Sequence, residues 1–137
     1  MTTISAVTSI AASGLNAASA RLQASAANIV NAQSGGAAPG VGGADRPRTT
    51  FRPVTADQTS LANGGVKVDL RMVQPGYFMA YAPSSPDADK NGMEAMPDVD
   101  LAAEAVNLIE ARQQFEANLR VIKTADQMQG SMLKIDL

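Results

Sequence analysis

Apolar and small residues recur at three- and four-residue intervals at both ends of the chain, and the pattern breaks in between. Ile4, Ala11, Ala18 and Ser25 share one heptad position, and Thr8, Leu15, Leu22 and Ile29 share the position four residues on. This spacing predicts a long amphipathic helix over residues 3–32 with a narrow, small-residue seam of the coiled-coil kind. Val7 and Ile10 broaden the seam near its start. Gly14 and the serines lower the intrinsic helix propensity, so the helix needs a packing partner to persist. Asn28 to Asn31 is the expected end. At the other extremity, Pro97-Asp98-Val99-Asp100-Leu101 opens a stretch with no further proline. Leu101, Ala105, Leu108, Phe115, Leu119 and Ile122 fall on one face of a second helix. Asp98 or Asp100 can cap it and complement its dipole. Glu116 stands four residues after Arg112 and four before Arg120, which offers exposed ion pairs.

Between the helices the period changes. Residues 33–44, with Gly35-Gly36, Pro39-Gly40 and Gly42-Gly43, read as a flexible spacer. Arg48-Thr49-Thr50-Phe51-Arg52-Pro53-Val54 is β-prone but bounded by prolines, as an edge strand is. Asn63-Gly64-Gly65 signals a turn. Val66, Val68, Leu70 and Met72 then alternate with polar residues, a half-buried strand, and Tyr77 to Tyr81 forms a further short strand. Residues 81–97 are rich in Pro, Asp, Asn and Gly and are expected to be irregular. The predicted fold is α+β: long N- and C-terminal helices paired as an antiparallel coiled coil, with a small antiparallel β region and an extended loop between them. The corresponding segments are 1–32, 33–97 and 98–137.

Composition narrows the function more than the fold. The chain is 45% hydrophobic, but alanine supplies much of that, and it has no Trp, three Phe and two Tyr. That is a thin supply for an isolated core, where aromatics bury the most area. A net charge of -2 does not suit a nucleic acid. No run approaches the ~20 apolar residues of a membrane span, and residues 1–10 lack the basic start and apolar run of a secretory signal.

Candidate chemistry is scarce. With no His and no Cys, the usual bases, thiol nucleophiles and imidazole ligands are missing. Ser84-Ser85 has no credible base partner, and nothing shapes a pocket around Asp87 and Asp89. The glycines of 33–44 resemble no phosphate loop, since no lysine accompanies them and no strand precedes them. Asp87-Ala88-Asp89-Lys90-Asn91-Gly92 matches the first half of an EF-hand loop, but the match fails at Glu94 and Asp98, and Pro83 and Pro86 occupy the place of the entering helix. Tight turns held by Asx side chains are the commoner meaning of such a run. The expectation is neither an enzyme nor a protein with a metal or other cofactor.

Ser13-Gly14-Leu15-Asn16-Ala17, Arg21-Leu22 and Ala27-Asn28-Ile29-Val30-Asn31 resemble the start of bacterial flagellar axial proteins, the rod, hook and hook-associated subunits. Arg112-Gln113-Gln114-Phe115-Glu116-Ala117-Asn118 and Ile122-Lys123-Thr124-Ala125-Asp126-Gln127-Met128 resemble their shared end. The loop from Tyr81 to Gly92, with its Asp87, Asp89, Asn91 and Gly92, resembles the rod members, together with Met96-Pro97-Asp98-Val99-Asp100. Ser85 and Met93 stand where a histidine and an aromatic are usual.

The resemblance implies a structural subunit of the proximal rod. Such a subunit leaves the cytoplasm through the flagellar type III export apparatus without a cleaved signal. It then assembles helically with copies of itself and other rod proteins, in the part of the basal body that crosses the periplasm and passes torque from the membrane ring toward the hook. Leu15, Leu22, Ile29, Leu108, Phe115, Leu119 and Ile122 are the expected seam residues. Asn28, Asn31 and Asn118 belong to the motifs too, although helix capping or solvation would also account for them. A different rod protein of the same family, a calcium-binding module and a free-standing coiled-coil adaptor are the competing readings.

Overall fold

The computed structural model describes residues 2–38 and 49–135, with side chains from Ile4 to Lys134. In chain order the elements are α1 (Thr2–Val30), β1 (Val54–Ser60), β2 (Val66–Met72), β3 (Tyr77–Tyr81), β4 (Met93–Pro97) and α2 (Leu101–Ile135). The class is α+β, with two helices and two small antiparallel sheets, β1–β2 and β3–β4. Asp100 caps α2: its Oδ1 accepts the N–H groups of Ala102 at 2.9 Å and Ala103 at 3.1 Å. Those are two of the donors a helix start leaves without an intrahelical partner. Glu104 in the first turn and Lys134 in the last turn both complement the dipole.

The middle of the chain departs from the sequence pattern in four places. The expected strand of 48–54 is not one: Arg48 lies outside the described residues, and Thr49 to Pro53 are irregular apart from a bridge at Thr49. Their backbone groups go elsewhere, Thr50 N–H to Ala37 O (3.2 Å), Phe51 N–H to Ser34 O (3.1 Å) and Pro53 O to Val73 N–H (2.8 Å). The strand begins instead at Val54. Secondly, Met93–Pro97 is a strand rather than the end of an irregular loop. It pairs with β3 in the register Tyr77↔Pro97, Met79↔Ala95, Tyr81↔Met93. Thirdly, the start of the glycine stretch is not a free spacer. Gly36 forms an antiparallel bridge to Ala95, and both Gly36 and Ala37 are buried. Residues 39–44 of that stretch lie outside the described residues. Finally, Val66 and Val68 are half-buried, but Leu70 and Met72 are exposed, so the covered face of β2 ends midway.

The chain forms two compact units. One comprises the described parts of Met1–Gln23, Ala56–Leu70 and Val106–Leu137. Within it the β1–β2 turn docks on α1. Ser13 Oγ accepts Val66 N–H at 3.1 Å and donates to Ile10 O at 2.6 Å. Gly64 and Gly65 hold φ of 80° and 86°, and a Cβ on Gly65 would stand 2.6 Å from Ser13 Oγ. Both the left-handed backbone and the close approach therefore demand glycine. Arg21 of α1 donates to Gln114 Oε1 at 2.9 Å and to Glu110 Oε2 at 3.3 Å on α2.

The other unit comprises Ala24–Thr55 and Arg71–Ala105. Asn28 is its most heavily committed side chain, only 2% exposed. Its Nδ2 donates to Val54 O at 2.9 Å and to Glu104 Oε1 at 2.6 Å, and its Oδ1 accepts Val54 N–H at 2.8 Å. One amide thus holds the end of α1, the first residue of β1 and the first turn of α2. The amide is well suited to this, because it offers donor and acceptor side by side to a backbone residue.

Two outcomes follow from these contacts. Asn28→Ala removes the acceptor of Val54 N–H and the donor to Val54 O in a part-buried setting, and should lower stability by about 2–4 kcal/mol in urea unfolding. Ser13→Ala removes the acceptor for Val66 N–H and a donor to Ile10 O, both at a less buried site. It should cost about 1 kcal/mol, with faster amide exchange at Val66 and little change at Phe78 or Ala80.

Candidate assembly surface

On α1 the expected seam is the covered side. Ala11, Ala18 and Ser25 are buried, and Ile4, Thr8, Leu15, Leu22 and Ile29 are half-buried. A second row of small residues, Ala17, Ala24 and Asn28, is buried beside it. The covered stripe is therefore wider than two heptad positions. On α2 a covered row runs through Glu104, Leu108, Ala111, Phe115, Asn118, Ile122 and Ala125, again alternating four and three apart, with Asn107 and Gly130 half-buried beside it. Ala111 and Ala125 are buried, while Leu108, Phe115 and Ile122 are half-buried. Leu119 lies off this row and is 51% exposed, and Leu101 is likewise 51% exposed. Ala105, expected on the same face, is exposed as well. Reading the row through its small residues would have found Ala111, Asn118 and Ala125.

The motif asparagines have distinct tasks. Asn28 makes the buried contacts described above. Asn31 Nδ2 donates to Ala27 O at 2.9 Å, meeting a carbonyl at the end of α1, and its Oδ1 accepts the Ser34 hydroxyl at 3.3 Å. Asn118 Nδ2 donates back to Gln114 O at 2.9 Å. Its side chain fills the space beside Gly14, where an added Cβ would stand 2.6 Å from Asn118 Oδ1. The glycine that weakens α1 by propensity thus gives close passage to an α2 residue within the same unit. Arg112 pairs with Glu116 at 2.9 Å on an exposed surface, a contact of small energetic weight.

The loop before β4 is a turn of the Asx type. Asp89 Oδ1 accepts the N–H groups of Asn91 at 2.7 Å and Met93 at 2.9 Å. Asp89 N–H bonds Met93 O at 2.8 Å, and Gly92, with φ of 74°, returns its N–H to Asp89 O at 3.0 Å. Asp87 N–H is held by Ser85 Oγ at 3.3 Å. These bonds deliver Met93 opposite Tyr81 and so start β4. Among the described residues no three acidic side chains gather as a metal site would need.

Large apolar side chains remain outside. Val7, Val121, Met128, Met132 and Leu133 are all exposed. Ile4 and Val7 of α1, with Val121, Ala125 and Met128 of α2, line an apolar groove of about 460 Å³. No helix among the described residues is long and apolar enough to cross a membrane. Small residues thus lie inside and larger apolar ones face outward.

Comparison with known proteins fits that geometry. Residues 90–135 match the family described as flagellar basal body rod FlgEFG protein C-terminal. The flagellar basal-body rod protein FlgC of Agrobacterium fabrum is 35% identical over 136 residues, 98% of this chain and 96% of that protein. The proteins of the same name from Escherichia coli O6:H1 and Salmonella typhimurium are 37% identical over 124 residues and 36% identical over 123, each alignment covering 87% of both chains. The similarity runs through both helices and the region between them, and the chain belongs to the family of flagellar basal-body rod proteins FlgC.

Proposed function

We propose that this chain is a structural subunit of the flagellar rod, in its proximal part, assembled helically with copies of itself and other rod proteins. The observation that carries this reading is similarity to flagellar basal-body rod proteins FlgC over nearly the whole chain. The structure supports a mechanism for it. Contacts within the first unit pair Gly14 with Asn118 and Arg21 with Gln114 and Glu110, and Ile4 and Val7 share the lining of one groove with Val121 and Met128. Rising numbers on α1 meet falling numbers on α2. This order, with the three-four rows on both helices, supports an antiparallel coiled coil of the terminal segments 1–32 and 98–137, with 33–97 returning the chain between them.

The pair is weakly cohesive by itself. Burying a full Leu, Ile or Phe contributes about 1.5–3 kcal/mol, whereas ordering each backbone residue costs about 1–2 kcal/mol. Half-buried leucines and buried alanines fall short of the larger gain. Neighbouring subunits that cover Leu119, Val121, Met128 and their like make up the difference, so ordering of the ends is coupled to assembly. A chain that is loose before assembly also suits passage through the type III export apparatus without a cleaved signal. Head-to-tail contacts that do not close into a ring grow a helical shaft. Torque from the membrane ring toward the hook then passes, across the periplasm, through many modest contacts rather than a few strong ones.

Two substitutions separate internal from external packing. Phe115→Asp buries a charge in the half-covered row of α2 and should reduce helicity in circular dichroism as well as abolish incorporation into basal bodies. Leu22→Asp should behave the same way on α1. Leu119→Asp changes an exposed residue: the purified chain should keep its wild-type helicity, while rod incorporation and swarming in soft agar fall at least tenfold. Normal swarming of all three variants would remove the seam assignment. Failure of the wild-type chain to restore motility to a strain lacking its rod protein would remove the rod reading itself.

A further inference from the structure

The hydrogen-bond parity of β3 leaves one of its edges open. Ala95 of β4 exchanges both backbone bonds with Gly36, each at 3.0 Å. Its backbone therefore points away from β3, and the backbone of its register partner Met79 points away from β4. The ladder between the strands falls on Phe78 and Ala80, and Ala82 N–H continues it onto Gly92 O at 2.8 Å. Tyr77, Met79 and Tyr81 direct their N–H and C=O groups outward, and among the described residues no strand pairs on that side.

Edge strands are usually blunted by lysine, proline or a bulge, because open donors and acceptors template further pairing. Tyr77-Phe78-Met79-Ala80-Tyr81 has no such device, and Met79 is 41% and Tyr81 74% exposed. The strand is also symmetric in its outward-bonding residues, with one tyrosine two positions before Met79 and another two positions after it. Antiparallel pairing with a second copy about Met79 sets Tyr77 against Tyr81, Met79 against Met79 and Tyr81 against Tyr77. Every outward donor then meets an acceptor, and both aromatic pairs lie directly across the strands, where side chains interact best. A slip by one residue places outward groups against inward ones. A slip by two breaks both aromatic pairs, setting Met79 against one tyrosine and a proline, Pro75 or Pro83, against the other.

We propose that the unassembled chain self-associates as a two-fold dimer through β3, paired antiparallel with β3 of a second copy about Met79. The occupant is a second copy because register, parity and the aromatic pairs are all satisfied by the strand's own sequence. The contact is small beside the ~1,600 Å² of a standard interface, so the dimer is weak and concentration-dependent. A two-fold contact closes on itself and cannot propagate. It therefore belongs to the pool of free subunits, where it covers an edge that would otherwise recruit strands without limit, and it must part before a subunit joins a polar assembly. The pairing itself stands on the geometry of β3, and only its parting before assembly rests on the rod reading.

The chain contains no cysteine, so single-cysteine variants of the full chain report the contact directly. Facing Cα atoms in a hydrogen-bonded antiparallel pair stand ~5.5 Å apart, within disulfide reach. Met79→Cys should form disulfide-linked dimers under mild oxidation at least tenfold faster than Ser60→Cys, an exposed control in β1. Tyr77→Cys and Tyr81→Cys should each link slowly alone and rapidly when mixed. Met79→Pro removes an outward N–H while sparing the ladder bonds of Phe78 and Ala80, and should abolish the dimer in sedimentation at unchanged far-ultraviolet circular dichroism. Equal rates for Met79→Cys and Ser60→Cys, or no gain on mixing the tyrosine-site variants, overturn the proposal, whether or not Met79→Pro folds.

Discussion

Apart from Pro53 and Pro97, every buried apolar residue among those described is an alanine, from Ala11, Ala17 and Ala18 to Ala111 and Ala125. A methyl group contributes little transfer free energy, on the order of 0.8 kcal/mol per buried carbon. What alanine permits is proximity: backbones can approach closely where side chains are small, and dispersion then acts over many short contacts. Gly14 beside Asn118 is the extreme case, a position where even one carbon has no room. The large apolar side chains that would fill an ordinary core sit half-covered or exposed, Leu119, Met128, Met132 and Leu133 among them. The architecture follows from this constraint. The chain keeps its interior small and presents its larger apolar groups outward.

A core of methyl groups is poor at selecting one arrangement, because alanines tolerate small slips. Polar contacts supply the selection. Asn28 meets Val54 on both its N–H and its C=O and reaches Glu104 as well. Ser13 holds the N–H of Val66 against α1, and Asp89 folds the loop so that Met93 arrives opposite Tyr81. Each of these bonds is short-range and directional, so a displaced alternative leaves a polar group unpaired. Where such groups are buried, that loss exceeds the net worth of the bond itself.

Much of the fold was legible because it is local. The three-four spacing marked both helices and the glycine pair marked the β1–β2 turn. Alternation placed β2, and the run from Asp87 to Gly92 announced tight turns, which the structure realises through Asp89. The row of covered residues on α2 was half legible: Leu108, Phe115 and Ile122 fell on it, while Leu119 lies off the row. The motif asparagines were visible as a pattern, but nothing in their neighbours along the chain distinguished the buried bridge at Asn28 from the helix-end role of Asn31.

The sequence by itself determined the two helices, their heptad spacing, the turn positions and the lack of imidazole and thiol chemistry, because each of these depends on residue identity within a few positions. Only the tertiary structure decided that β1 begins at Val54, that Met93–Pro97 is a strand, and that Gly36 and Ala37 are packed rather than free. Those outcomes rest on partners far along the chain. Val54 is held by Asn28, Ala95 is claimed by Gly36, and the donors of Thr50 and Phe51 go to Ala37 and Ser34. Backbone groups carry no residue code, so their long-range choices leave no mark on the pattern of side chains.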